Sequence, residues 1–371
     1  MLDKFRFAFA SCQHYESGYY TAYEHMLQQN PDLVVHLGDY IYEGKGNQKA
    51  FRSHVGEEIK SLDDYRRRIA QYKTDPALQA MHAACPWLVT WDDHEFDNNY
   101  ANLISEEANI DPREFLLRRA NAYQAYYESM PLRLPAMPNG PQMKLYRNVN
   151  FGRLVEFNVL DTRQYRTDQP CGDVEGPLCE QAYDPDATML GDKQEWWLNK
   201  QLISNKSNWN VLAQQVMMAP IDRKPGEGEV YAVDQWAGYE VPRKRILKFL
   251  AERRISNPIV ITGDIHSDWV NDLKVEFDRE EDPIVATEFV GTSISSGGNG
   301  PAVPKDIDKV YSDNPFLRYH NQQRGYVLCE ITPEVWRSDY QTVEYVDRPG
   351  GPVTTKASFV VENGKAGAVK A

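Results

Sequence analysis

The sequence contains no long apolar run. None of its 371 residues belongs to a stretch that approaches the roughly 18 consecutive apolar residues of a membrane-spanning helix. The first apolar segment, Phe5 to Ala10, is too short and too lightly flanked to be a signal peptide. We therefore expect no transmembrane segment, and either a cytosolic protein or one whose signal peptide is missing from the numbered chain.

Positive charge is also scarce. Lys and Arg number 41 against 54 Asp and Glu, which gives a formal net charge of −13. Affinity for nucleic acids comes mostly from Lys and Arg that meet phosphates, so the composition argues against a stable nucleic-acid partner. If the substrate is an anion, the positive charge that attracts it must come from metal ions or a well-placed Arg.

Cysteine is sparse, with five residues in the chain. Cys171 and Cys179 bracket a Gly- and Pro-containing loop, and they are close enough in sequence to form a disulfide. A disulfide would indicate an oxidising, extracytoplasmic compartment. The alternative is a pair of free loop thiols in a cytosolic enzyme. Cys85 and Cys329 lie in apolar surroundings and are expected in the core.

The apolar runs that are present have the length of strands. With 42% hydrophobic residues, the chain can bury a large core. The predicted strands before Ala286 include Phe5 to Ala10, Leu33 to Leu37, Trp87 to Trp91 and Pro258 to Thr262. From Ala286 onward the alternation is cleaner and predicts an antiparallel or mixed second sheet. Without repeats or an evident linker, a single domain over residues 1–371 is the simplest organisation.

Helical patterns separate these strands. We expect one helix from Tyr65 to Ala84, with the cationic side chains of Arg66, Arg67 and Arg68 exposed. A second expected helix, from Lys193 to Ser204, would bury Trp196, Trp197 and Leu198.

Each of the four predicted strands named above is followed by side chains that bind metals or titrate. They are Cys12 after the first strand, Asp39 and Tyr42 after the second, Asp92, Asp93, His94, Glu95, Asp97, Asn98 and Asn99 after the third, and Asp264 and His266 after the fourth. For Asp39 alone, a capped turn after a buried strand is an equally good interpretation. Four such strand ends together favour a transition metal with mixed ligands, beside a harder ion held by oxygens. A carboxylate that bridges two cations about 3.5–4 Å apart is the arrangement of phosphoester hydrolases.

Several motifs resemble the PhoD-like alkaline phosphatase and phosphodiesterase family, which belongs to the calcineurin-like metallophosphoesterases. The segments that carry the resemblance are FASCQ, HLGDYIYE, WLVTWDDHEFDNN, LDTRQYR, GDKQEWWL, ITGDIHSDW and EFVGTSISS, in order from about residue 5 to 345. The combination of WDDHE, the following NN and GDYIYE is highly specific, whereas GDIH alone is weak. The resemblance implies a mixed α/β fold: a four-layer αββα sandwich with two mixed β-sheets.

The same resemblance implies a set of metal ligands. The expected cofactors are one Fe³⁺ with one or two Ca²⁺, and zinc or another divalent metal is the alternative. Fe³⁺ would be held by Cys12, Asp39, Tyr42 and His266, and Ca²⁺ by Asp39, Asp93, Asn99, Asp264 and nearby oxygens. Carboxylates stand at 93 and 264 where related purple acid phosphatases carry an amide and an imidazole, which suits calcium better than zinc. Gln215 departs from the pattern, because calcineurin-like enzymes usually carry a ligand His there.

The implied activity is hydrolysis of phosphomonoesters, phosphodiesters or both, through attack by a metal-bound hydroxide or oxide. Asp39, Asn99 and Arg163 are the expected catalytic residues, and Asn99 and Arg163 would also bind the phosphate. Arg163 could act as a bidentate clamp on two phosphate oxygens, or it could be a structural partner of Asp161. Two alternative functions remain at this point: a calcium-dependent extracytoplasmic binding module without turnover, and a zinc phosphotriesterase or nuclease. The sequence supports no prediction of the oligomeric state.

Overall fold

The structure, a computed structural model, describes residues 2–107 and 109–371. The strands are β1 (Phe5–Ala10), β2 (Leu33–His36), β3 (Trp87–Val89), β4 (Arg147–Phe151), β5 (Val155–Val159), β6 (Trp209–Ala213), β7 (Pro258–Thr262), β8 (Asp268–Lys274), β9 (Ile284–Val290), β10 (Leu317–Asn321), β11 (Arg324–Ile331), β12 (Val335–Val343), β13 (Val353–Glu362) and β14 (Val369–Lys370). The α-helices are α1 (Thr21–Gln28), α2 (Leu62–Tyr72), α3 (Pro76–Ala84), α4 (Pro112–Ser129), α5 (Gly191–Ser204), α6 (Glu240–Glu252) and α7 (Ile307–Asp313). Among the described residues, no helix is both long and apolar enough to cross a membrane.

The strands form two seven-stranded sheets. Sheet A has the order β14-β13-β12-β11-β1-β2-β3, and sheet B has the order β10-β8-β9-β7-β6-β5-β4. In sheet A, β1, β2 and β3 run parallel, while β11 pairs antiparallel with β1. In sheet B, β5, β6, β7 and β9 run parallel, with antiparallel strands at both edges. Both sheets are mixed, as predicted.

Alternating side chains on the strands place the sheets face to face. Along β1, Phe5, Phe7 and Phe9 belong to the apolar cluster between the sheets, whereas Ala8 and Ala10 belong to the cluster under the helices α1 to α4. A third cluster packs sheet B against α5, α6 and α7. Burying each large apolar side chain contributes about 1.5–3 kcal/mol. The result is the predicted four-layer αββα sandwich.

The prediction of a single helix from Tyr65 to Ala84 is wrong. The structure breaks it into α2 and α3, because Pro76 has no N–H and is accepted only in the first turn of a new helix. The carboxylate of Asp75 caps that turn by accepting hydrogen bonds from the backbone N–H groups of Ala77 and Leu78. Arg68 is buried, contrary to expectation, since α2 turns its guanidinium toward backbone carbonyl oxygens and His54.

Two further expectations need correction. The last third of the chain does not form the second sheet by itself: β9 and β10 join sheet B, but β11 to β14 extend sheet A from β1. Alternation along a strand shows that one face is buried, but not which neighbour the strand will pair with. In α5, Leu198 is buried, whereas Trp196 is 64% exposed, with the ammonium group of Lys200 over its ring.

Candidate metal centre

The candidate site lies where the carboxyl ends of parallel strands from both sheets meet. Cys12 follows β1 and Asp39 follows β2, and the backbone N–H of Cys12 donates to the carbonyl oxygen of Gly38 at 3.1 Å. Cys12, Asp39 and His266 all have positive φ, so each strand ends in a sharp turn that directs a side chain into the cleft. At Gly38, a Cβ atom would lie 2.4 Å from the Cβ of Asp92. Only glycine therefore fits where the turn after β2 meets the turn after β3.

The four predicted iron ligands converge. One donor atom each from Cys12, Asp39 and His266 lies within 4.8 Å of the others. The Tyr42 hydroxyl donates to Oδ2 of Asp39 at 2.7 Å and lies 3.2 Å from Nε2 of His266. Thiolate, carboxylate, phenolate and imidazole donors from distant parts of the chain therefore face one point, as a transition-metal site requires.

A second group of donors adjoins the first and consists of carboxylates with one imidazole. Asp92, Asp93 and Asp264 form one cluster of donor atoms within 4.8 Å of one another, and Asp39, Asp93 and His94 form another. Asp39 is thus shared between the iron-type donors and the carboxylate side. This placement is the one required of a carboxylate that bridges two cations.

Unpartnered oxygens show that the cluster fits metal ions. Among the described residues, Oδ1 of Asp39, Oδ2 of Asp92 and Oδ1 of Asp93 are buried and accept no hydrogen bond. A buried carboxylate oxygen without a partner is costly unless a cation compensates it. Burial and nearby carboxylates raise the pKa of the Cys12 thiol and of Asp39 well above their usual values. A bound cation supplies the positive charge that allows such groups to ionise.

Glu95 holds two of the site's turns in register. Its carboxylate accepts hydrogen bonds from the backbone N–H groups of Asp39 at 3.0 Å, Tyr40 at 2.6 Å and Asp92 at 2.8 Å. Because one buried side chain binds the segments after β2 and β3, the donor carboxylates on both segments keep a fixed spacing. No role was predicted for Glu95 from the sequence, although its position in the WDDHE motif indicated that it has one.

Arg163 is completely buried among acidic side chains. Its Nε donates to Asp92, its Nη1 donates to both carboxylate oxygens of Asp234 at 2.8 and 2.9 Å, and its Nη2 donates to Asp264 at 3.2 Å. Burial alone lowers the pKa of the guanidinium, but these carboxylates outweigh burial and raise it well above the usual value. Asp161 contacts Arg163 through the backbone N–H, at 3.0 Å, and not through the guanidinium. In this arrangement Arg163 balances the charge of the carboxylate cluster.

Asn99 lies at the edge of the same cluster. Its backbone N–H donates to Oδ2 of Asp93 at 2.8 Å, and its side-chain amide donates to Oδ2 of Asp173, also at 2.8 Å. Asp173 belongs to the loop between Cys171 and Cys179, which are joined by a disulfide, as predicted.

His94 connects the site to Glu43. Its Nδ1 lies 2.8 Å from Oε2 of Glu43, and its ring packs on Tyr42 with centroids 4.1 Å apart. Burial lowers the pKa of His94, but Glu43, Asp93 and Asp39 together raise it well above the usual value. The acidic neighbours of His94 therefore favour its protonated form.

Gln215 makes no contact of the kind expected for a metal ligand. Its carbonyl oxygen accepts from the Thr162 hydroxyl at 2.6 Å, and its amide donates to the Leu160 carbonyl oxygen and to the Thr90 hydroxyl. Since Thr90 follows β3 and Gln215 follows β6, this side chain joins the edges of the two sheets.

The structure brings together all the predicted metal ligands and both predicted phosphate-binding residues. Sequence reasoning named Asp92 among the polar groups after the third strand but gave it no role, and it missed Asp173 and Asp234 as members of the cluster. Asp92 directly follows a predicted strand, so its position was a usable signal. Asp173 and Asp234 lie in long loops, and nothing in their local sequence pattern indicates that they approach Asn99 and Arg163.

The fold and the donor set define an αββα sandwich with a candidate two-metal centre at the shared edge of its sheets. A family model described as PhoD-like phosphatase matches residues 7–340. The chain therefore belongs to the PhoD-like phosphatase family, and the resemblance drawn from its motifs is confirmed.

Two relatives show how far the likeness extends. The chain is 48% identical over 366 residues to alkaline phosphatase D of Bacillus subtilis (strain 168), an alignment that covers 97% of this chain and 63% of that protein. A solved structure described as the structure of PhoD superposes with a TM-score of 0.96 at 47% identity, covering 100% of this chain and 72% of that one. The chain thus spans less than two thirds of the length of its curated relative.

Proposed function

We propose that the chain is a metal-dependent phosphoester hydrolase that releases phosphate from phosphomonoesters, phosphodiesters or both. The observation that carries the proposal is the position of Asp39, which contributes to the donor group with Cys12 and His266 and also to the one with Asp93 and His94. Family membership supports the same reaction class, since the matching family is described as a phosphatase family.

The residues divide into two sets of metal ligands. Cys12, Asp39, Tyr42 and His266 would hold Fe³⁺, because anionic sulfur and oxygen donors favour that ion. Asp93 and Asp264 would hold one or two Ca²⁺ together with Asp39 and Asn99, because hard oxygen donors suit that ion. When bound, the cations neutralise phosphate charge and supply a nucleophile at moderate pH. Zinc remains the alternative for a site of this kind.

The chain's own side chains orient and stabilise the reacting phosphate. Asn99 lies next to Asp93 and offers an amide beside the metal ligands. Arg163 supplies a fixed positive charge, and a phosphate oxygen would displace Asp264 as the acceptor of its Nη2, a contact 3.2 Å long. His94, held at 2.8 Å by Glu43 and beside Asp39 and Asp93, would give a proton to a departing alcohol. With the cations bound, the positive charge that attracts an anionic substrate would lie inside the cleft, which reconciles such a substrate with the chain's net charge of −13.

The experiment is a metal analysis of the purified protein beside kinetics on a matched monoester and diester, p-nitrophenyl phosphate and bis-p-nitrophenyl phosphate. We expect turnover of at least one substrate that depends on bound metal. Stoichiometric calcium with no turnover of either ester would leave a calcium-binding module and overturn the hydrolase. Asp339→Asn is the matched control for variants of the acidic cluster, because Asp339 pairs with Arg337 on β12.

We also propose an extracytoplasmic location, periplasmic or secreted. The disulfide between Cys171 and Cys179 supports it, since such bonds persist in oxidising compartments. Mass spectrometry of the non-reduced protein from its native cell fraction tests this, and free thiols at both positions would favour the cytoplasm.

A further inference from the structure

A cavity of about 540 Å³ opens beside His266. His266 itself forms part of the wall, so the cavity and the candidate metal centre share a boundary. Other side chains that line it are Arg223, Trp269, Lys305, His320 and Arg324. None of these five belongs to the metal-ligand set described above.

The cavity is lined by cations in a chain that is acidic overall. Arg223 is neutralised by an ion pair with Glu175. Asp306, also at the wall, lies 3.4 Å from Lys309. Over residues 2–107 and 109–371, by contrast, no carboxylate lies within ion-pair distance of Lys305 or Arg324. Two uncompensated positive charges therefore face one cavity.

Arg324 is the more informative of the two because it is only 4% exposed. Its Nη1 donates to the Ser293 hydroxyl at 2.5 Å and to the Ser296 carbonyl oxygen, and its Nη2 donates to the Gln322 carbonyl oxygen. Its Nε is buried and has no hydrogen-bond partner among the described residues. The buried carboxylate of Asp268 acts on Arg324 from beyond ion-pair distance, but burial outweighs it and lowers the pKa of Arg324. Burying a guanidinium with no carboxylate at ion-pair distance is costly, so an anion from outside the chain would compensate it.

The remaining wall suits the carbon linker of such an anion. The rings of Trp269 and His320 stack with centroids 3.5 Å apart and are both nearly buried. They add an aromatic surface to the cavity wall that also contains His266 and the two cations. A ligand that joins two phosphates by a short carbon linker matches this set of groups.

We propose that this cavity binds a second phosphate group, carried on the alcohol portion of the phosphoester substrate, with Arg324 and Lys305 as its partners. The inference rests on the proposed hydrolase function and narrows its substrate class to phosphoesters that bear a second phosphate. A phosphate suits the pair because a guanidinium and an ammonium group together match its charge and its several acceptor oxygens.

The test compares alkyl phosphates with the corresponding α,ω-alkanediol bisphosphates, over linkers of two to five carbons. We expect kcat/KM to be higher for the bisphosphate at one or more linker lengths. Lys305→Gln should lower the ratio of kcat/KM for the bisphosphate to kcat/KM for the alkyl phosphate by about two- to fivefold, which is the effect of one exposed ion pair. Lys356→Gln, which removes the same charge from an exposed position on β13, should leave the ratio at the wild-type value.

Binding without turnover gives a second readout. Calorimetry with the non-hydrolysable alkane bisphosphonate and monophosphonate of the best linker length should show the same preference. Arg324→Lys retains the charge but loses the planar fork, and it should reduce that preference by about tenfold in the folded, metal-loaded protein.

The outcomes separate the two proposals. Turnover of both substrate series with no preference for bisphosphates at any linker length overturns the second-phosphate site and leaves the hydrolase intact. If Lys305→Gln and Lys356→Gln reduce the preference for bisphosphates equally, the preference comes only from the long-range effect of net charge. That result also overturns the second-phosphate site. Turnover of neither series overturns the proposed function and this inference with it.

Discussion

The side-chain amide of Asn99 donates a hydrogen bond to Oδ2 of Asp173 at 2.8 Å. Asp173 lies in the loop that is closed by the disulfide between Cys171 and Cys179, two residues that are eight positions apart in sequence. Gln169, just before this loop, donates to the Asn99 carbonyl oxygen at 2.6 Å and to Asp234 at 2.8 Å. The disulfide loop is thus bonded directly to a residue at the edge of the candidate metal centre.

This contact leads to a prediction for Asp173→Ala. Without the Asp173 carboxylate, the amide of Asn99 is free to rotate, so KM for a phosphoester should rise by about three- to tenfold, the effect of one hydrogen bond. Metal content should not change. Steady-state kinetics with metal analysis measure both, and Asp186→Ala, an exposed position in the same region, is the control. A Cys171→Ser, Cys179→Ser double variant should change KM in the same direction; an unchanged KM in both variants would show that the loop does not position Asn99.

Asp39→Asn should abolish turnover and release metal. The amide keeps the shape of the side chain but removes the charge shared by the two donor groups. Metal content by mass spectrometry and kcat on a phosphoester are the measurements. Most of the activity remaining at full metal content would rule out a bridging role.

Arg163→Ala should lower kcat/KM for phosphoesters while the iron-type ligands keep their metal. Removing a fixed charged donor costs about 2–4 kcal/mol of transition-state stabilisation. Arg166→Ala is a matched control, because Arg166 is also fully buried and binds Asp234 at 3.0 Å, but it forms no ion pair with Asp92 or Asp264 among the described residues. An equal loss in both variants would indicate that Arg163 acts only by supporting Asp234.

The purified protein should be coloured if Cys12 and Tyr42 bind Fe³⁺. Thiolate and phenolate donors on ferric iron absorb visible light, whereas zinc has a filled d shell and gives no such band. EGTA should remove activity and leave much of the colour, since calcium held by carboxylates exchanges readily, and added Ca²⁺ should restore turnover. Cys12→Ser should weaken or shift the band. A colourless, fully active protein with stoichiometric zinc would refute the iron and calcium assignment.

Asp75→Ala should destabilise the fold strongly. The substitution removes the cap of α3 and leaves Arg52, which pairs with Asp75 at 2.6 Å and is nearly buried, without its carboxylate. Loss of a cap costs about 1 kcal/mol, and an uncompensated buried charge adds about 3–5 kcal/mol. Asp111→Ala removes only the cap of α4 and should cost about 1 kcal/mol. Denaturant unfolding compares the two, and equal losses would show that the Arg52 pair contributes nothing.

The sequence by itself determined much of the fold and named most of the side chains that meet in the candidate metal centre. Strand-length apolar runs and the polar groups directly after them are local patterns, and the carboxyl ends of parallel strands meet at one sheet edge for any chain of this type. The positions of Cys12, Asp39, Asp93 and Asp264 followed from those patterns, and the family resemblance supplied their roles.

Only the tertiary structure decided which loops approach that edge and which strands pair. The break at Pro76, the return of β11 to β1, and the contacts of Asp173 and Asp234 depend on chain segments far apart in sequence. The same holds for Arg163, whose local motif suggested a free phosphate clamp, whereas three separate segments surround it with carboxylates. Local patterns record burial and turn chemistry; the partner of a buried charge is set by long-range packing, which no local pattern encodes.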